Sequence, residues 1–175
     1  MKRQLRDESE LREALIEQLA YLLQEIAALE QVIDLIPEPL QGVRPVPEEP
    51  SVRETYGILV AADEQVFLPA VQALEAGVAE ALPLPDDRAL QTVEDWNAYP
   101  LPKILERLQR SRQELVSRLQ KTPSELWECK VPCGEASWDL YQYVYFIIQH
   151  DTELLRALAY RLHGAYLPGK PRPTF

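Results

Sequence analysis

The chain opens with a long run of apolar residues spaced alternately four and three positions apart. This run begins near Glu8 and ends at Ile36, just before Pro37. Its stripe consists of Leu15, Leu19, Leu22, Ile26, Leu29, Ile33 and Ile36. Because this spacing keeps side chains on one face of an α-helix, and a strand cannot produce it, the run predicts a helix of about three heptads.

A second helical segment is predicted from Ser51 to Gly77. It opens with Ser-Val-Arg-Glu, in which Ser51 and Glu54 are spaced as a capping box: each side chain accepts a hydrogen bond from the backbone amide of the other residue. Pro69 lies inside the segment. Since proline has no amide hydrogen, we expect the helix to kink or to be interrupted there.

Two more long helices complete the pattern. The third is predicted from Pro100–Pro102 to the residue before Pro123. The fourth is predicted from Ser137, as its N-cap, to Gly164. Between the second and third helices, residues 89–96 predict a short helix.

Four amphipathic helices need one shared core, so the predicted fold is all-α, a four-helix bundle in a single domain that spans residues 1–175. Residues 165–175 are rich in proline and predict an extended tail. The connections after the first and second helices, about 14 and 22 residues long, are long for helices that simply alternate up and down. We expect these loops to cross a bundle end or to cover a cleft.

Two of the helical stripes contain a charged residue at a position that apolar side chains otherwise fill. Asp63 holds such a position in the second helix, and Arg112 holds one in the third. An unpaired charge would be costly there, so we expect the two to meet each other or the core-facing His150 of the fourth helix. The pair would either fix the register of the helices or form the polar floor of a pocket, and the sequence leaves both roles open.

The net charge of the chain argues against two classes of binding partner. The formal net charge is −10, which argues against nucleic acid and anionic membranes as partners. No apolar run approaches the roughly 20 residues of a membrane-spanning helix. Residues 37–99 hold 3 basic and 12 acidic residues (net −9), whereas residues 100–175 hold 11 and 8 (net +3). We therefore expect the second helix to face basic residues of the third.

Reactive side chains are few. Cys129 and Cys133 are too few for a disulfide framework, so a cytoplasmic location is predicted. A structural zinc site normally needs four ligands, and we interpret the two cysteines as loop residues. No nucleophile elbow or phosphate-binding glycine loop is present, so the motifs name no reaction.

Several motifs resemble those of the DinB/YfiT-like superfamily in their order and spacing. They are Ser51-Val52-Arg53-Glu54, Ala62-Asp63-Glu64, Asp95-Trp96-Asn97 with Tyr99-Pro100, Leu108-x-x-x-Arg112-x-x-Leu115, Leu126-Trp127, Trp138-Asp139-Leu140 and Ile147-Ile148-Gln149-His150-Asp151. The resemblance covers nearly the whole chain. It implies a four-helix bundle, often dimeric, in a family that includes thiol-dependent transferases and isomerases.

The resemblance also implies a divalent-metal site that this chain does not match. The family pattern is one histidine on the second helix and a His-x-x-x-His pair on the fourth. These positions correspond to Ile58 or Leu59 and to His150 and Leu154, so His150 alone retains an imidazole. His163 lies 13 residues further along the same helix, about 20 Å away, and cannot share an ion with it. We therefore expect no metal and no cofactor; a weak carboxylate-rich metal site formed by His150 with Asp63, Glu64 or Asp151 is left open.

The predicted pocket lies between the second, third and fourth helices, around His150. It is assigned to His150, Asp63, Arg112, Tyr56, Trp96 and Asp151. The leading interpretation is a DinB-like homodimer that lacks the metal and binds a small molecule or a protein partner. The alternative is a metal- or thiol-dependent transferase or hydrolase of the same family with an altered site. Whether the protein is an enzyme is left open.

Overall fold

The computed structural model describes residues 8–30, 36–44 and 46–166, and it shows an all-α four-helix bundle, as predicted. The long helices are α1 (Glu8–Glu30), a second helix made of α3 (Val52–Ala62) and α4 (Leu68–Glu75), α6 (Leu101–Lys121) and α8 (Leu140–Tyr166). Short helices are α2 (Glu38–Gln41), α5 (Asp87–Leu90) and α7 (Ser124–Trp127). One antiparallel hairpin, β1 (Val131–Cys133) and β2 (Ala136–Trp138), precedes α8.

The directions of the helices explain the long connections. The α1 and α8 helices run the same way, since Tyr141 near the start of α8 donates to the carbonyl oxygen of Glu8 at the start of α1. The α3–α4 helix and α6 are also parallel, because successive ion pairs join Asp63 to Arg112 and then Glu75 to Arg118. Parallel neighbours cannot be joined by a tight turn. Residues 76–100, here called the crossover segment, therefore return along the bundle before α6 begins.

The second helix contains a π-helical turn, Asp63–Phe67, where its α-helical pattern is interrupted. The amide of Leu68 donates to the carbonyl oxygen of Asp63, one residue further back than in an α-helix. Pro69 follows at once and offers no amide hydrogen, so the expected interruption takes the form of a widened turn. The predicted capping box of Ser51 and Glu54 is present at the start of the helix.

The start of α8 differs from the prediction. Ser137 lies in strand β2 and does not cap the helix. Asp139 does so instead: its carboxylate accepts from the amide of Gln142, and the Gln142 side chain accepts from the amide of Asp139. The hairpin delays the helix by two residues, and nothing in the sequence pattern signalled these short strands. At its other end, α8 continues past Gly164 to Tyr166.

Two further boundaries differ from the sequence analysis. The short helix predicted for residues 89–96 is found as α5 and a single 3-10 turn at Trp96–Ala98. The predicted end of the first helix, at residues 31–35, and most of the predicted tail, residues 167–175, lie outside the described residues. Among the described helices, the stretch Val52–Glu75 is long and apolar enough to cross a membrane, but 67% of the 18-residue window that meets this test is buried inside the bundle, as in the core helix of a globular protein.

Candidate functional site

A network of buried charges links three of the four long helices. Arg112 of α6 is fully buried and donates from Nε and Nη2 to the two carboxylate oxygens of Asp63, at 3.0 and 2.8 Å. It also donates from both Nη atoms to Asp151 of α8. Ser111 adds a hydrogen bond of 3.3 Å to Asp63. The expected contact between Asp63 and Arg112 is therefore present, and Asp151 is the third charged residue of the network.

Burial and pairing act against each other in this network. Burial raises the pKa of Asp63 to about 6, although Arg112 opposes that rise. Asp151 is also buried, but Arg112 and His150 outweigh the burial and lower its pKa. At neutral pH both carboxylates are ionised, and one guanidinium is shared between two negative charges.

His150 joins the network to the crossover segment. Its Nε2 lies 2.8 Å from a carboxylate oxygen of Asp87, at the start of α5, and its Nδ1 lies 3.6 Å from the carboxylate of Asp151. Burial alone would lower the pKa of His150, but the two carboxylates outweigh it and raise that pKa to about 9. The imidazolium is therefore the stable form at neutral pH. Phe67 and Phe146 pack against its ring.

The crossover segment covers this side of the bundle and is held at several further points. Tyr143, buried on α8, donates to the carbonyl oxygen of Pro83 at 2.7 Å. The indole of Trp96 lies against the backbone of α3 at Gly57, where a Cβ atom would come within 2.2 Å of the ring. Arg107 of α6 stacks 5.4 Å from the Trp96 ring and pairs with Glu94. The loop thus forms a fixed wall over the face that carries His150.

A cavity of about 750 Å³ lies on the opposite side of α8, against α1. This volume is within the usual range for a small-molecule site. Most of its wall is apolar. The lining residues are Gln18, Leu19, Tyr21, Leu22, Glu25, Ile26, Ala28, Tyr56, Ile148, Asp151, Thr152, Leu155, Arg156, Leu158, Ala159 and Leu162.

Three of the lining residues give the cavity acidic and hydrogen-bonding character. Asp151 reaches it from the buried network, and Glu25 reaches it from α1. Burial, together with the nearby charge of Asp151, raises the pKa of Glu25. Tyr56 is 8% exposed, and its hydroxyl forms no hydrogen bond with any described residue. Burial and the charge of Glu25 raise the pKa of Tyr56.

The six residues predicted for the pocket separate into two groups. Asp63, Arg112 and His150 belong to the closed charge network, and Trp96 belongs to the loop that covers it. Tyr56 and Asp151 line the cavity, which lies between α1, α3 and α8 and not between the second, third and fourth helices. The predicted position of the pocket therefore differs from that of the cavity, and Asp151 is the residue that belongs to both.

Two residues of the cavity and the charge network, Glu25 and Asp87, were not predicted from the sequence. Glu25 lies between Leu22 and Ile26 of the first stripe, so a carboxylate beside the buried face was visible in the pattern. Asp87 lies in a segment without helical periodicity, and no sequence signal connected it with His150.

The donor atoms here do not form a metal site of the kind that the resemblance implies. In the described part of the chain, no three His, Cys, Asp or Glu side chains are grouped so that they could hold an ion. Ile58, Leu59 and Leu154 offer no donor atoms, and Nε2 of His150 is engaged with Asp87. The cysteines are free thiols, Cys129 exposed and Cys133 buried in β1.

Comparison with known proteins agrees with this helical architecture and identifies the family. The family model of the DinB superfamily matches residues 21–153, which is most of the chain, and the protein belongs to that superfamily. The structure is similar to that of YfiT from Bacillus subtilis, described as a probable metal-dependent hydrolase with an unusual four-helix bundle topology, at a TM-score of 0.73 and 11% sequence identity. The match covers 94% of this chain and 92% of YfiT. No curated protein matches the sequence.

Proposed function

We propose that this member of the DinB superfamily binds a small organic molecule in the cavity between α1 and α8, and does so without a metal ion. The observation that carries the proposal is the cavity itself: about 750 Å³, mostly apolar, with Asp151 in its wall. Arg112 fixes the position of that carboxylate from behind, so the polar part of the site is preorganised.

The absence of a metal from this proposal rests on the chemistry of the side chains. A catalytic zinc or nickel ion requires about three imidazole or carboxylate ligands around an open position. His150 and Asp151 are the nearest candidates, and both already serve as partners in ion pairs with Asp87 and Arg112. A metal-ligating histidine must be neutral, whereas the carboxylates of Asp87 and Asp151 hold His150 as a cation.

A fluorescent probe tests the proposed cavity. N-phenyl-1-naphthylamine, uncharged at neutral pH, should bind the wild-type protein and fluoresce. Ala159→Trp places an indole in the cavity, because Ala159 is one of the lining residues, and should reduce the affinity for the probe at least tenfold. Ala157→Trp, two residues earlier on the exposed face of α8, is the matched control and should bind the probe as the wild type does. Equal binding by all three proteins, or none by the wild type, would contradict the proposal.

The alternative is a metal- or thiol-dependent transferase or hydrolase, in line with the description of YfiT as a probable metal-dependent hydrolase. Metal analysis of protein purified without chelators distinguishes the two. Stoichiometric zinc or nickel in the wild type, lost in His150→Ala, would overturn the metal-free proposal.

The homodimer, the cytoplasmic location and the exclusion of nucleic acid and membrane partners stay predictions.

A further inference from the structure

We propose that the ligand of the α1–α8 cavity is an organic amine, a molecule with an apolar body and one protonated nitrogen that pairs with Glu25 and Asp151. This inference rests on the proposed function, since it names the chemical class that the same cavity would accept. It follows from the excess of carboxylates over counter-charges around the cavity.

The two carboxylates differ in their partners. Asp151 shares Arg112 with Asp63 and shares the imidazolium of His150 with Asp87, so two positive charges face three carboxylates. Glu25 has no ion-pair partner among the described residues, and the neighbouring carboxylate of Asp151 disfavours its ionised form. A cation placed between Glu25 and Asp151 would relieve this repulsion in a partly desolvated site, where a charge pair is stronger than in water.

The other charged groups around the cavity do not remove this imbalance. Arg156 lines the cavity but is an exposed residue and forms no salt bridge with the described residues. On the far side of the network, the imidazolium of His150 faces Asp87 as well as Asp151. Two carboxylates therefore face the cavity against one exposed arginine, and an organic anion would meet net repulsion there.

The uncharged groups indicate what kind of cation fits. Tyr56 is a second and independent sign of a ligand, because its hydroxyl is unpartnered while the residue is 8% exposed. A protonated amine donates more than one hydrogen bond and can serve the Tyr56 hydroxyl and a carboxylate together. The remaining wall is dominated by leucine and isoleucine side chains from α1 and α8, which suit a carbon skeleton and not the hydration shell of a metal ion.

A matched series of compounds tests the inference. The three probes are 4-phenylbutylamine, 4-phenylbutan-1-ol and 4-phenylbutyrate, which share one carbon skeleton and end in a cation, a neutral group and an anion. Competition against N-phenyl-1-naphthylamine gives the affinity of each. We expect the amine to bind at least tenfold more tightly than the alcohol, and the carboxylate to bind more weakly than either.

Two variants assign the effect to Glu25. Glu25→Gln removes the charge of a surface-accessible side chain and should weaken amine binding about tenfold while leaving the alcohol unchanged. Glu17→Gln is the matched control, because Glu17 is exposed on the same helix and does not line the cavity. Its amine affinity should equal that of the wild type.

The possible outcomes separate the two proposals. If the amine and the alcohol bind equally and Glu25→Gln changes neither, the amine inference is overturned while the cavity remains a binding site. Tightest binding by the carboxylate would overturn it in the same way. If neither the fluorescent probe nor any of the three compounds binds, the proposed function itself fails.

Discussion

The two sides of α8 around His150 and Asp151 contain the same kinds of charged side chains but use them in opposite ways. On the side of His150, the crossover segment closes over the helix, and the imidazole is paired with Asp87. On the side of Asp151 that faces α1, a cavity remains, and Glu25 stays unpaired among the described residues. The comparison indicates that the charged groups on the His150 side have counter-charges within the protein, whereas the cavity side leaves one carboxylate without a counter-charge among the described residues.

Arg112 supports both sides, so its removal should have the largest effect. Arg112→Met leaves Asp63 buried without a cation and Asp151 with only the imidazolium of His150, and we expect a loss of about 3–5 kcal/mol in the free energy of unfolding, measured by urea denaturation. Arg112→Lys keeps the charge but cannot pair with both carboxylates in the same geometry, and should lose less.

The control for that change lies on the same helix. Arg107→Met removes a guanidinium that is 36% exposed and pairs with Glu64 and Glu94, so it should cost about 1 kcal/mol or less. Similar losses for Arg107→Met and Arg112→Met would show that the buried network is no more important for stability than a surface ion pair.

Because Gly57 has no side chain, Trp96 of the crossover segment can pack directly against α3. In Gly57→Ala the new methyl group would lie 2.2 Å from the Trp96 ring, so the indole must move away from α3. We expect a loss of about 1–3 kcal/mol, with a change in tryptophan fluorescence as the crossover segment shifts. The affinity of the cavity for N-phenyl-1-naphthylamine should not change, because neither Gly57 nor Trp96 lines the cavity.

Gly164→Ala is the matched control for this substitution. Nothing lies within 4 Å of a Cβ atom at Gly164, and the residue is in the last turn of α8. Alanine is the better helix former, so stability should be unchanged or rise by up to about 1 kcal/mol. A comparable loss for both glycine variants would mean that contact with Trp96 is not the cause.

The pairing of His150 with Asp87 should make the closed side sensitive to alkaline pH. The pKa of His150 is raised from 6.5 to about 9 in the folded protein. The stabilisation of the folded state by the charged imidazole is therefore fully present below pH 6.5 and is lost as the pH rises through 9. The shift corresponds to about 3 kcal/mol, and we expect about 1–2 because Asp87 is 43% exposed.

Comparison with His150→Gln isolates this effect from other groups that titrate at alkaline pH. The difference in unfolding free energy between wild type and variant should shrink between pH 6.5 and 9.5. A constant difference over that range would show that His150 is not stabilised as a cation. NMR titration of the two histidines in the chain gives the pKa directly.

The fold was largely predictable because its signals are periodic and local. The stripe of α1, the capping box of Ser51 and Glu54, and the prolines between segments each depend on residues close together in the sequence. The hairpin before α8 was missed because its strands have three residues each, too few for a periodicity to be recognised. The choice of Asp139 in place of Ser137 as the cap required knowing where the strands end.

The candidate site was predictable only in part, for a physical reason. A charged residue within an apolar stripe implies a partner, which is how Asp63 and Arg112 were expected to meet. The sequence does not state which side of a helix stays uncovered, since that depends on the direction of each helix and the course of the crossover segment. The predicted pocket was therefore placed around the network, whereas the cavity described above lies on the α1 side.

The smallest expected effect concerns the start of α8, which both sides share. Asp139→Ala removes the carboxylate that accepts from the amide of Gln142, and loss of such a cap should cost about 1 kcal/mol. Ser137→Ala, at the cap position that the sequence suggested, should change stability by less than about 0.5 kcal/mol because Ser137 is exposed in β2. Since the cap lies beyond both His150 and the cavity, Asp139→Ala should leave the pKa of His150 and the affinity for N-phenyl-1-naphthylamine unchanged. A change in either would mean that the two sides of α8 are coupled through the position of the helix, and that the contrast between them is not local.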